Sequence, residues 1–159
     1  SRGLGDVYKR QGYQKLSISY FTIMREKKMP VLVMFIDLDR LKYINDTFGH
    51  EYGDFAIVSI AKAMLKHCDA DAIAARTGGD EFIVLEGAKD EESGRVLAQK
   101  IRTELSKTQR AMQLPFDLSA SIGAVVAHPG EENVLESYVK RAEMLMYEEK
   151  AEKKVSRDS

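Results

Sequence analysis

Three acidic residues stand where a polypeptide can turn carboxylates toward one point. Asp37 closes residues 31–36, a continuous apolar run of strand length. Asp80 and Glu81 follow Gly78 and Gly79, between two further strand-like runs at 72–75 and 82–85. If those strands are neighbours in one sheet, Asp37 and Asp80 converge. At a strand end such carboxylates are expected to stay hydrated and free to bind. A pair of hard oxygen donors suits Mg²⁺, which takes one or two carboxylates and fills its shell with phosphate oxygens and water. Two ions bridging phosphate oxygens activate an attacking hydroxyl and stabilise a leaving group. Gly78 and Gly79 lack side chains, so a phosphate or ribose can approach their backbone. The plainer alternative is a hairpin turn carrying solvated acids, which spacing alone does not exclude.

A second set lies close by in the chain. Asn45 offers a donor and an acceptor, and Asp54 offers two acceptors. Together they suit a ligand edge with adjacent N–H donors, as guanine has at N1 and its exocyclic amine. Asn45 and Asp46 equally suit a helix end, where such side chains satisfy local backbone groups. His50 fits either helix-end packing or a ligand contact. Lys42 and Lys150 are candidate point charges for phosphates, although single lysines are most often solvated. His67 and His128 have no partner set in the sequence. Cys68 is the only cysteine, so no internal disulfide forms; it reads as a small buried residue in a reducing compartment.

The elements that must carry these residues follow from hydrophobic period and turn chemistry. Residues 13–27 read as a helix with Leu16, Ile18, Tyr20, Phe21, Ile23 and Met24 on a broad apolar side, ended near Pro30. The run 31–36 reads as a central strand covered on both faces. Residues 40–48 form a short helix stopped by Gly49, and 51–67 a longer one. Gly-Gly between 72–75 and 82–85 signals a hairpin, because both glycines tolerate positive φ. Residues 90–108 read as a helix facing inward through Val96, Leu97, Ile101 and Leu105. Residues 118–127 read as a strand in which Gly123 marks a bulge or a close approach. A last helix over 133–154 turns Leu135, Tyr138, Val139, Ala142, Leu145 and Met146 inward. A hairpin among strands interspersed with helices gives an α+β layer.

At 159 residues the chain is expected to form one domain with a real core. Its 44% apolar and 31% charged composition is that of a globular protein. A formal net charge of −1 provides no overall basic field for nucleic acid or anionic membrane, so neither is expected as a direct partner. No apolar run is long enough to span a bilayer. Residues 6–11, Asp-Val-Tyr-Lys-Arg-Gln, resemble a translated adapter of the kind used to prepare sequencing libraries. Residues 1–11 are therefore expected to be non-native, the domain to occupy 12–155, and 156–159 to be a tail.

The segment from Phe35 to Asp46, then Gly49-His50, Gly53-Asp54 and Arg76-Thr77-Gly78-Gly79-Asp80-Glu81-Phe82, resembles the GGDEF family of diguanylate cyclases. Residues 118–123 and 142–150 are similar to its two later motifs. The resemblance implies a central antiparallel sheet flanked by helices, like the nucleotide cyclases and the polymerase palm, with a ferredoxin-like core. It implies condensation of two GTP molecules into cyclic di-GMP and two pyrophosphates at a homodimer interface. Asp37 and Asp80 match the family's carboxylates for Mg²⁺ or Mn²⁺, two ions per site, and Leu38 the position lending a backbone carbonyl. Asn45 and Asp54 match the guanine readers, His50 a further substrate position, and Lys42 a lysine that steadies the phosphates. Lys150 matches a phosphate-binding lysine; Glu81 is in place with a less settled role. Either Asp80 or a metal ion takes part in activating the 3′-hydroxyl. A sensory domain usually precedes this unit, and a cytoplasmic setting follows, with a parent protein that can be membrane-anchored.

Three departures accompany the resemblance. Lys153-Lys154-Val155 stands where the family has Gly-Arg-Asn, with Lys154 as the substitute phosphate partner lacking arginine's fork. Asp69-Ala70-Asp71-Ala72 replaces the Arg-x-x-Asp of the inhibitory product site. The family's opening motif is absent. An alternative expectation is therefore a degenerate domain that binds GTP and regulates a partner without catalysis.

Overall fold

The computed structural model describes residues 8–158, with side chains from Gly12 onward. In chain order the elements are β1 (Tyr8–Lys9), α1 (Arg10–Glu26), β2 (Val31–Leu38), α2 (Leu41–Phe48), α3 (His50–His67), β3 (Ile73–Arg76), β4 (Glu81–Gly87), α4 (Ser93–Ala111), β5 (Ala120–Ala127) and α5 (Leu135–Asp158). The sheet order is β1-β3-β4-β2-β5. All contacts among β2, β3, β4 and β5 are antiparallel, while the two residues of β1 pair in parallel with β3. The run β2-α3-β3-β4-α4-β5 is thus the βαββαβ arrangement of a ferredoxin-like core. Residues 8–11, set apart in the sequence, contribute to β1 and the first turn of α1, and α5 continues to Asp158.

All eight residues of β2 are buried, as expected of a strand with neighbours on both edges and helices on both faces. Side-chain alternation divides it between two cores. Leu32, Met34, Ile36 and Leu38 join residues of α3 and α4, including Ile60, Met64 and Ile101. Val31, Val33 and Phe35 pack on the other face against Phe21 and Met24 of α1 and Tyr138, Ala142 and Met146 of α5. Cys68 is buried, as its reading as a small apolar residue expected.

The helices bury narrower faces than their apolar content suggested. Ile18 and Ile23 of α1 are exposed, as are Leu16, Val96 and Leu145. A helix laid on a sheet sinks one stripe, and apolar residues beside that stripe remain at the surface. Gly123 makes a close approach. A Cβ placed there would lie 2.0 Å from the Ala142 carbonyl oxygen and 2.5 Å from the Met146 nitrogen, so α5 rests directly on the β5 backbone.

Candidate active site

The alternation that buries Val31, Val33 and Phe35 beneath α5 carries Asp37 and Asp39 onto the same face. Beyond Met146, the next turns of α5 hold Lys150 and Lys153 above those two aspartates. Lys150 Nζ lies 3.2 Å from Asp37 Oδ1 and 3.9 Å from Asp39 Oδ1. It also donates to the Leu38 carbonyl at 3.3 Å. On the other side of β2, Glu81 pairs directly opposite Asp37, and the Asp80 carbonyl accepts the Leu38 N–H at 2.9 Å. One oxygen from each of Asp37, Asp80 and Glu81 falls within 4.8 Å of the others. The expected convergence of Asp37 and Asp80 is present.

Their hydration is not as expected. Asp37 is only 5% exposed and Asp39 4%, because the end of α5 lies across them. Asp37 is pushed up to about 7: burial is the largest cause, Lys150 opposes it, and the Asp80 carboxyl beside it adds to the rise. Asp37 Oδ1 is buried and makes no well-aligned hydrogen bond, its cationic neighbour being the Lys150 ammonium at 3.2 Å. Like charges directly opposite across two strands are destabilising. A buried carboxylate set among other carboxylates and a backbone carbonyl, with only the Lys150 ammonium to offset their charge, fits a hard divalent cation such as Mg²⁺ or Mn²⁺. Asp39 is different. Burial would raise it, but Lys153, Ser121 and Ser119 together more than offset this and hold it below the usual carboxylate range.

The tip of the β3–β4 hairpin is tied by Arg76, whose guanidinium donates to the Gly78 carbonyl and twice to the Gly79 carbonyl, at 2.6 Å for Nη2. Among the described glycines only Gly49 has positive φ, so the turn does not use left-handed conformations at Gly78 or Gly79. What Gly79 supplies is room: nothing lies within 4 Å of where its Cβ would be. It borders a cavity of about 390 Å³ that Lys42, Asn45, His50 and Asp80 also line. Five residues expected from three separate segments, Lys42, Asn45, His50, Gly79 and Asp80, therefore meet there.

Asp54 and Lys154 are exposed, and neither they nor Lys150 line this cavity. Lys42 is exposed and pairs with Asp46 at 2.6 Å. Three residues without an expected role help to build the site. Arg76 ties the hairpin, Lys153 holds Asp39, and Gly53 makes space for Asn45. A Cβ on Gly53 would lie 1.8 Å from Asn45 Oδ1. The eight-residue spacing from Asn45 to Gly53 was the available sequence signal, since it joins two consecutive helices. A larger cavity, about 680 Å³, lies along the opposite side of α2 between Tyr43, Phe116 and Arg157. Asp80 and Asn45 border the smaller cavity and not this one, which Asp39 and Lys153 line instead.

Comparison with known proteins agrees with this geometry. The family model "Diguanylate cyclase, GGDEF domain" matches residues 5–156. Diguanylate cyclase VdcA of Vibrio cholerae is 32% identical over 151 residues, covering 92% of this chain and 43% of that protein. Probable diguanylate cyclase DgcT of Escherichia coli is 36% identical over 127 residues, covering 78% of this chain and 28% of that one. The chain thus spans less than half the length of these curated relatives. Among solved structures, the GGDEF domain of TpbB (YfiN) from Pseudomonas aeruginosa superposes with a TM-score of 0.78 at 27% identity, over 95% of this chain and 88% of that one. A family model that accounts for almost the whole sequence decides the matter: the chain belongs to the GGDEF family of diguanylate cyclase domains.

Proposed function

We propose that the chain is a catalytically competent diguanylate cyclase domain that condenses two GTP molecules into cyclic di-GMP. In each half-reaction the 3′-oxygen of one GTP bonds to the α-phosphorus of the other. The bond from that phosphorus to the bridging oxygen breaks, pyrophosphate leaves, and the hydroxyl proton passes to a base or to solvent. The observation that carries this reading is the meeting of Asp37, Asp80 and Glu81 beside a cavity bordered by Asn45, Lys42 and His50. Asp37, Asp80 and the Leu38 carbonyl would hold divalent ions, two in the complete site. Such ions neutralise phosphate charge and lower the pKa of a bound hydroxyl. Asn45 and Asp54 read the guanine edge, His50 and the Gly78-Gly79 backbone border the nucleotide, and Lys42, Lys150 and Lys154 meet its phosphates as point charges. The reaction requires a homodimer, because each chain presents one GTP, and a cytoplasmic setting where GTP is available. Within the longer parent protein, an N-terminal sensory domain governs that pairing.

A second reading is a GTP-binding domain without turnover, favoured by the exposure of Lys154 at the family's arginine position. Incubating the purified chain with GTP and Mg²⁺ and separating products by chromatography distinguishes the two. Cyclic di-GMP formation is expected, and Asp80→Asn lowers its rate by about a hundredfold or more, as loss of a principal charge-stabilising group does. Binding of GTP with no product supports the second reading instead.

A further inference from the structure

Lys153 occupies the place where the GGDEF pattern carries glycine, and nothing in that pattern gives it work. Its ammonium is nonetheless the most fully engaged on α5. Nζ donates to Asp39 Oδ2 at 2.7 Å and to the Ala120 carbonyl at 2.7 Å, and lies 3.3 Å from Glu149 Oε1. Asp39 also accepts from Ser119 at 2.7 Å and from Ser121 at 2.6 Å, both from the β5 side. Glu149 in turn receives Arg102 of α4 at 2.7 Å on both its oxygens. This chain of contacts clamps the end of α5 to β2, β5 and α4 around the β5 edge. Lys154, one residue on, points to solvent.

Lys150 sits one turn earlier on the same face, between two aspartates. It is 3.2 Å from Asp37 and 3.9 Å from Asp39. A buried carboxylate without a counter-ion is strongly unfavourable, so Asp39 would draw in whichever cation is within reach. With Lys153 in place, that demand is met and Lys150 stays at Asp37 and the Leu38 carbonyl.

We propose that Lys153 is a positioning residue: by neutralising Asp39 it keeps Lys150 directed at the acidic cluster, where Lys150 meets the phosphates of GTP. The inference rests on the nucleotide-condensing reading above, but it concerns this chain's own side chains and can be tested apart from turnover. In a crystal structure of Lys153→Met, Lys150 Nζ is expected to have moved from Asp37 to Asp39. If it remains at Asp37, the proposal fails whatever the activity. In GTP titrations with Mg²⁺, Lys153→Met is expected to weaken binding about tenfold, the loss of one charge-assisted contact, and KM rises with little change in kcat. The same substitution in a Lys150→Met background is expected to have almost no further effect, and an additive loss overturns the proposal. Asp39→Asn in the Lys153→Met chain removes the unpaired charge and is expected to restore GTP binding, while also keeping a folded protein available if the single variant is too unstable. Lys153→Arg keeps the wild-type affinity. Wild-type protein that binds GTP without turnover contradicts the cyclase reading alone, because the structural and binding tests of Lys153 still apply.

Discussion

Asn45 shows how little freedom a binding residue has in this site. Its amide occupies the space that a side chain on Gly53 would need, and it borders the cavity beside Gly79 and Asp80. Gly53→Ala is therefore expected to swing Asn45 away and to cost the nucleotide about 1–3 kcal/mol, the penalty for an unmade hydrogen bond. GTP titration measures this, with ATP as the control, since loss of a guanine reader narrows the gap between the two. Unchanged affinity and selectivity would place the guanine elsewhere. Glu86 provides a separate test far from the acidic cluster. Burial raises it; the Asp69 N–H at 3.0 Å opposes, and the charges of Asp69 and Asp71 raise it further. A raised carboxyl keeps its proton in the folded chain at pH values where the unfolded chain has lost it. Its contribution to stability is thus fully present below the ordinary carboxylate range and is lost as pH climbs through the raised value. Glu86→Gln preserves an acceptor for Asp69 and removes the charge. Urea midpoints should rise for this variant at pH 7 and stay level at pH 4; an equal change at both would contradict the argument.

At the scale of elements, the site depends on where α5 lies. Gly123 lets that helix touch β5, and an added methyl would press on the Ala142 carbonyl and the Met146 amide rather than on a side chain that can turn away. Gly123→Ala is expected to lower stability by about 1–3 kcal/mol, the usual range for overpacking, and to shift Lys150 with the helix. Urea denaturation reads the first effect, and a stability equal to wild type would mean that the contact is looser than the structure has it. The same interface marks how far the sequence could be read. β2 and the β3–β4 hairpin are legible because a continuous β-branched run and a Gly-Gly pair between two strand-like runs are local signals, although the turn does not use the positive φ that glycine allows, and the convergence of Asp37 with Asp80 follows from the pairing of those strands. The inward faces of α1, α4 and α5 are narrower than the hydrophobic period predicts. Period identifies an apolar residue, but not whether the helix is rotated enough to bury it, and Ile18, Val96 and Leu145 remain exposed. That Lys153 rather than Lys154 faces the site is hidden from the sequence for a related reason. Which of two adjacent lysines turns inward depends on the phase of α5 over β2, a property of the packed pair and not of either segment alone.

For the whole molecule, the decisive quantity is the number of nucleotides one chain can present. Among the described residues there is one cluster of three carboxylates suited to a metal ion, and the cavity beside it also borders Asp80. In the proposed reaction the hydroxyl and the phosphorus that join belong to different GTP molecules, so a single chain holds half of the reacting pair. Two chains facing one another convert a bimolecular encounter into an intramolecular one, and effective molarities in well-oriented systems reach about 10⁵–10⁸ M. The rate per chain should then rise with chain concentration until dimers predominate. Fusing the chain to a parallel coiled coil, which supplies the pairing that a longer parent protein would provide, should remove that dependence and raise the rate at low concentration. Sedimentation velocity run beside the activity measurement fixes the fraction of dimer at each point. If the rate per chain stays constant down to concentrations at which only monomer sediments, both halves of the reaction must lie on one chain, and the face-to-face arrangement is wrong.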